Sequence, residues 1–146
     1  MTSSDPARDA QLLQRARQAK VHAYAPYSGF HVGAALLTTD GAVFTGVNIE
    51  NVSFGLTLCA ERVAVAAMIA TAGSRTLIDA IAVVGDGHDA LMPCGACRQV
   101  LHEFGATARV IASGDGGMPI VTSVAELLPR PFSALRLGQG RDSNDG

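Results

Sequence analysis

The sequence predicts a three-layer α/β/α fold with a mixed sheet and an opening β-hairpin. Three observations carry this. An Asp-Gly pair separates two extended apolar runs near the start, strand and helix patterns alternate after them, and enough apolar helix is present to cover both faces of one sheet. With 146 residues, 48% of them hydrophobic and 16% charged, the chain suits one domain with a buried core of mainly Ala, Val and Leu. Residues 1–138 are assigned to that domain, and the polar, Gly-rich 139–146 to a frayed C-terminal tail.

The first helix is expected from about Pro6 to Ala23, because Pro6 suits a first helical position after Asp5 and Leu12, Ala16, Ala19 and Ala23 share a face. Ala25-Pro26-Tyr27-Ser28-Gly29 breaks it. Phe30 to Thr38 and Ala42 to Val47 are the hairpin strands, turning at Thr39-Asp40-Gly41. Asn48 to Leu58 reads as a loop. Cys59 to Ala72 is a helix apolar nearly all round, hence central, ending at Gly73 in a left-handed C-terminal conformation. Leu77 to Val84 is a strand, Gly85 to Pro93 a loop, and Cys94 to Phe104 a helix stopped by Gly105. Arg109 to Ala112 and Pro119 to Val121 are short strands, and Ser123-Val124-Ala125-Glu126 is a capping-box start for a final helical piece before Pro129.

The composition narrows the function. A formal net charge of −2 offers no basic surface for a nucleic-acid polymer, so any nucleic-acid chemistry concerns small molecules. The N-terminus carries no basic region followed by an apolar stretch, and the longest apolar run, Val63 to Ala70, is too short to span a membrane. The expected location is the cytoplasm. Three cysteines cannot all pair within one chain, so their placement matters more than their number.

They fall in Leu58-Cys59-Ala60-Glu61-Arg62 and Pro93-Cys94-Gly95-Ala96-Cys97-Arg98, with Cys94 35 positions after Cys59. Cys94 and Cys97, three apart at a helix start, put both sulfurs within reach of one metal. Cys59 can add a third thiolate if the two helix N-termini converge. Three ligands leave a zinc's fourth position free, the arrangement that activates water, and Glu61 could then move the water's proton. Three thiolates and one zinc sum to −1, which helix dipoles and the Arg62 guanidinium could offset. Two other readings stay open on the residues alone. Cys-x-x-Cys beside a β-α-β pattern also suits a redox dithiol. A purely structural zinc would want a fourth protein ligand, but His22, His31, His88 and His102 stand at no ligand spacing from the cysteines. Generically, Glu61 could merely complement a helix dipole, and Phe30 could merely fill a core.

The pairing of Cys-Ala-Glu with Pro-Cys-Gly-Ala-Cys resembles the signature of zinc nucleobase deaminases. With Tyr24-Ala25-Pro26-Tyr27-Ser28, Phe30-His31-Val32-Gly33-Ala34-Ala35-Leu36, Gly46-Val47-Asn48-Ile49-Glu50-Asn51 and Gly55-Leu56-Thr57-Leu58, the chain is similar to the small homotetrameric cytidine deaminases from roughly Ala19 to Phe104. The resemblance implies a cytidine-deaminase-like fold and hydrolysis of cytidine and 2′-deoxycytidine to uridine products and ammonia, in pyrimidine salvage. It implies one zinc per subunit on Cys59, Cys94 and Cys97, with Glu61 moving protons. It also implies ribose contacts from Asn48 and Glu50, pyrimidine packing on Phe30 and base recognition by the backbone at Ala60. Phe132 and the loop before Cys59 would reach a neighbouring subunit's site in a homotetramer. One departure is Phe54, where the family often has tyrosine, which removes a hydroxyl from the sugar side.

Overall fold

The computed structural model describes residues 4–134, so the boundary expected at 138/139 and the tail after it lie outside the described residues. Asp5 opens helix α1 (Pro6–Lys20), its carboxylate accepting from the Ala7 and Arg8 amides. Strands β1 (Val32–Thr38) and β2 (Val43–Val47) follow as an antiparallel hairpin. Helix α2 (Ala60–Ala72) precedes β3 (Ile78–Gly85), and α3 (Gly95–Phe104) precedes β4 (Arg109–Ser113). The described chain then runs through β5 (Ile120–Ser123) and the single-turn α4 (Val124–Leu127), which the predicted Ser123/Glu126 capping box starts.

The five strands lie in the order β2-β1-β3-β4-β5, with β3 and β4 parallel and the other neighbours antiparallel. The mixed sheet and the opening hairpin are as expected. Alternation along the strands makes two cores. Ala35, Leu37, Ala80, Ala82, Val84 and Ile111 pack under Leu12, Leu13 and Ala16 of α1. On the opposite face Ala34, Leu36, Ile81, Val83 and Val110 pack under Ala60, Ala64, Val65 and Met68 of α2 and Leu101 of α3. These are the three layers. Both helices that begin at cysteines lie on the same face of the sheet.

Several boundaries differ from expectation for identifiable reasons. Helix α1 ends at Lys20 rather than Ala23, and the Tyr24 backbone instead pairs with Asn48 and Glu50. Phe30 and His31 stay out of β1 because their polar groups bond to Ser28, Asn48 and Asp86 rather than to a strand. The Asn48–Leu58 segment is only partly loop: Ile49 bridges Tyr24 on one side and Leu58 on the other, and Phe54–Leu56 forms a 3-10 turn. Gly73 does take a positive φ of 90°, but its ψ of 169° lies outside the left-handed helical well.

Two glycines set how closely the helices approach the hairpin. A Cβ on Gly33 would lie 2.0 Å from the Ala16 carbonyl oxygen, and one on Gly46 would lie 2.3 Å from the Ala60 oxygen and 2.4 Å from the Ala64 nitrogen. These obstacles are backbone and cannot swing aside. Gly46 therefore fixes the height of the first turn of α2, the turn that presents Glu61. Gly46→Ala is expected to destabilise the fold by about 1–3 kcal/mol through overpacking. A denaturation midpoint equal to that of the parent would contradict this close approach.

Candidate active site

Cys59 and Cys94 are the N-cap residues of α2 and α3, and Cys97 lies in the first turn of α3. Neither N-cap sulfur caps its own helix, and the positive ends of both helix dipoles lie at the cysteines. The three sulfurs lie within 4.8 Å of one another, with Cys59 and Cys94 Sγ 3.9 Å apart. A tetrahedral zinc bonded to sulfur at about 2.3 Å would hold sulfurs about 3.8 Å apart, so the triad fits zinc without large movement. Among the described residues this is the only cluster of His, Cys, Asp or Glu that could hold a metal, and no histidine joins it. Among the described residues no fourth protein ligand joins the three sulfurs, as a purely structural zinc would require.

Glu61 follows Cys59 by two residues and is only 4% exposed. Its Oε2 lies 3.6 Å from Cys97 Sγ, so the carboxylate borders the thiol cluster. Burial pushes the Glu61 carboxyl above the ordinary carboxylate range. Arg62 donates from Nη2 to Cys59 Sγ at 3.4 Å. The hydrogen bond from Cys97, then the Arg62 guanidinium, hold the Cys59 thiol down to about 5. Cys97 is pushed up, first by giving its hydrogen bond to Cys59 and then by burial. A divalent cation would take the place of that shared proton. Arg62 thus lies beside the thiol cluster, with its guanidinium on Cys59.

Arg98 was given no role from sequence, although it directly follows Cys97. Its Nε donates to the Pro93 carbonyl at 2.7 Å and its Nη1 to the Leu127 carbonyl at 3.1 Å. It pins the turn that delivers Cys94. Arginine immediately after Cys-x-x-Cys is the sequence signal that could have marked it.

Asn48 is buried, and its amide braces the turn containing Phe30: Nδ2 donates to the Phe30 carbonyl at 2.8 Å, and Oδ1 accepts from the Val32 amide at 2.9 Å. Glu50 Oε1 accepts from the Tyr27 and Ser28 amides at 2.9 and 3.1 Å. Hydrogen bonds from Ser28, the hydroxyl foremost, lower the Glu50 pKa. Glu50 also lines a cavity of about 300 Å³ with Tyr27, Ser28, Phe54 and Thr57. Tyr27, Ser28 and Thr57 had no individual role from sequence. The Phe54 ring meets Tyr27 edge-on at 5.6 Å and is 74% exposed. The Phe30 ring is 39% exposed, with its tip beside Gly85 and Leu91. Ala60 is fully buried in the first turn of α2. Phe132 is 63% exposed and its carbonyl is held by Gln99 on α3 at 2.7 Å, which leaves the ring outside the buried core.

Residues 6–113 match the family described as the cytidine and deoxycytidylate deaminase zinc-binding region. The chain is 58% identical over 101 residues to a cytidine deaminase of Mycobacterium tuberculosis, covering 68% of this chain and 74% of that one. It is 48% identical over 125 residues to the cytidine deaminase of Halalkalibacterium halodurans, covering 84% and 92%. The fold is similar to the crystal structure of cytidine deaminase from Burkholderia pseudomallei, with a TM-score of 0.80 and 50% identity over 84% of this chain and 98% of that one.

Proposed function

The chain belongs to the cytidine and deoxycytidylate deaminase zinc-binding family, and on that premise we propose how its residues carry the hydrolytic deamination of cytidine and 2′-deoxycytidine to uridine and 2′-deoxyuridine with release of ammonia. Nucleoside salvage is the role this serves. The observation that carries the reading is the meeting of three thiols and one buried carboxyl at two helix N-termini.

Cys59, Cys94 and Cys97 would hold one zinc, which when bound activates water for attack at C4 of the pyrimidine. Glu61 takes one proton of that water and delivers it to ring nitrogen N3, then takes the remaining proton from the hydroxyl now on C4 and gives it to the departing amino group, leaving the C4 carbonyl. Water enters, ammonia leaves, and the carboxylate ends as it began. A carboxyl with its pKa raised by burial suits both receiving and giving a proton near neutral pH. Phe30 is the apolar face for the base. The backbone at Ala60, an amide-bearing first turn, suits the base's carbonyl edge. Asn48 and Glu50 face the sugar: each uses part of its hydrogen-bonding capacity on the Tyr27–Val32 segment and keeps lone pairs or protons for a hydroxyl. Phe54 brings no hydroxyl to that side. Arg62 balances the thiolates.

The proposal includes a cytoplasmic homotetramer in which Phe132 and the segment before Cys59 reach a neighbouring subunit's site. Val52, Phe54, Leu56 and Leu58 are exposed apolar residues on one short segment, a concentration that suits contact with another copy. No helix among the described residues is long and apolar enough to cross a membrane.

The direct test follows the loss of cytidine absorbance with cytidine, 2′-deoxycytidine and cytidine monophosphate, alongside zinc analysis. Both nucleosides should be consumed and the monophosphate spared, with one zinc per chain. Stoichiometric zinc without nucleoside turnover would overturn the reading. Light scattering should report four chains per particle, and a stable, active monomer would defeat the shared-site part.

A further inference from the structure

The turn that carries Phe30 is held from two sides. On one side is Asn48, already placed at the substrate. On the other is Asp86, the residue that follows β3 and has no place in the catalytic site. Asp86 Oδ2 accepts from the His31 amide at 2.8 Å and lies 2.8 Å from the His31 ring Nδ1, and the Asp86 amide donates back to the His31 carbonyl at 3.0 Å. Asp86 Oδ1 accepts from Lys20 Nζ at 2.9 Å, and the same ammonium donates to Asp115 Oδ1 at 2.6 Å. Lys20 is the last residue of α1, and its side chain is only 13% exposed. One ammonium thus ties the end of a helix to the end of a central strand and to the loop after β4.

We infer that Lys20 and Asp86 are positioning residues for the pyrimidine, acting through the His31 backbone to hold the Phe30 ring where the base stacks. This rests on the reading of Phe30 as the platform. Phe30 donates to Ser28 Oγ at 3.0 Å and its carbonyl is taken by Asn48, so the His31 amide is the next main-chain donor along the turn. Freed from Asp86, that peptide keeps only the Asn48 bond to its carbonyl and loses the anchor on its N–H side, and Gly85 beside the ring offers no side chain to stop it moving. A carboxylate has two oxygens and serves His31 and Lys20 together, whereas an asparagine has one acceptor oxygen for both. The His31 amide and the Lys20 ammonium both hold Asp86 well below the usual carboxylate range, so the charge persists at neutral pH.

The test is a double-mutant cycle between Asp86→Asn and Phe30→Ala on the zinc-loaded enzyme, with Lys20→Met and Lys20→Arg beside it, reading KM and kcat for cytidine and zinc per chain. Asp86→Asn and Lys20→Met should each raise KM about tenfold with kcat within about threefold and zinc unchanged, as expected for loss of an interaction that orders the binding surface. Lys20→Arg should restore most of the parent KM. In the Phe30→Ala background, Asp86→Asn should add almost nothing. If Phe30→Ala raises KM but Asp86→Asn does not, or if the two effects simply multiply, the positioning role is wrong and the platform stands. If Phe30→Ala leaves KM unchanged, the platform reading falls and this inference falls with it. A loss of zinc or of kcat at unchanged KM assigns Asp86 to general structure and also overturns it.

Discussion

Replacing Glu61 by alanine is expected to lower kcat by roughly 10²–10⁴-fold with zinc retained, the usual cost of removing a positioned general acid/base. The magnitude decides between two roles open to a glutamate at a helix start. Complementing the dipole of α2 is worth about 0.3–1 kcal/mol, and its loss would change a rate by no more than about fivefold. A hundredfold loss is about 2.7 kcal/mol, beyond what the dipole supplies. Glu61→Gln sharpens the separation, since an amide keeps the size of the side chain and can still hydrogen-bond to the ring nitrogen but cannot accept the water's proton. Both variants should therefore be slow. Glu61→Gln should unfold no more easily than the parent, because it removes a buried carboxyl whose ionised form is disfavoured there. Cytidine turnover by either zinc-loaded variant within about tenfold of the parent would remove Glu61 from the proton path.

What the sequence makes legible is local. Asp40-Gly41 marks the hairpin turn, with Gly41 at φ 93°, and Ser123 with Glu126 marks the last helix start. The two cysteine segments announce helix beginnings because a break precedes each and apolar periodicity follows. Their convergence on one face of the sheet is not local, and spacing alone allowed it without requiring it. Family resemblance supplied the third ligand's partnership and the substrate contacts, and the geometry of the thiols then had to bear it. The bracing around the site was hidden from the chain order. Lys20 lies 66 residues from Asp86 and 95 from Asp115, so no periodicity links them. Asn48 looks like an ordinary loop amide until its two bonds to the Phe30–Val32 backbone are seen. Gly33 and Gly46 are likewise unremarkable as letters. Their constraint appears only when a helix backbone is laid across them.

Cys94→Ala should abolish zinc binding at stoichiometric metal and, with it, cytidine turnover. Losing one of three protein ligands should weaken zinc by more than about a hundredfold, the upper end of what the loss of a mere outer hydrogen-bond partner costs. Cys94 is the informative position because its side chain does little else. It is exposed, makes no capping bond to α3, and precedes a helix whose turn is separately pinned by Arg98. Cys97 is wholly buried, so its replacement would confound metal loss with a packing defect. In the presence of a chelator, Cys94→Ala and the parent should unfold at nearly the same temperature. Free zinc at about a thousand times the parent's dissociation constant should stabilise the parent by about 4 kcal/mol. For a chain of this length that is on the order of 10 °C in Tm. The variant should gain almost none of it. A parent and a variant that both rise by that amount would show the zinc to be held elsewhere. A variant that loses turnover while still binding stoichiometric zinc would show Cys94 to act in the chemistry and not as a ligand. The combination expected here, equal metal-free stability with metal-dependent stability lost, is what a thiol at an exposed helix start gives when its one task is to complete a three-sulfur site.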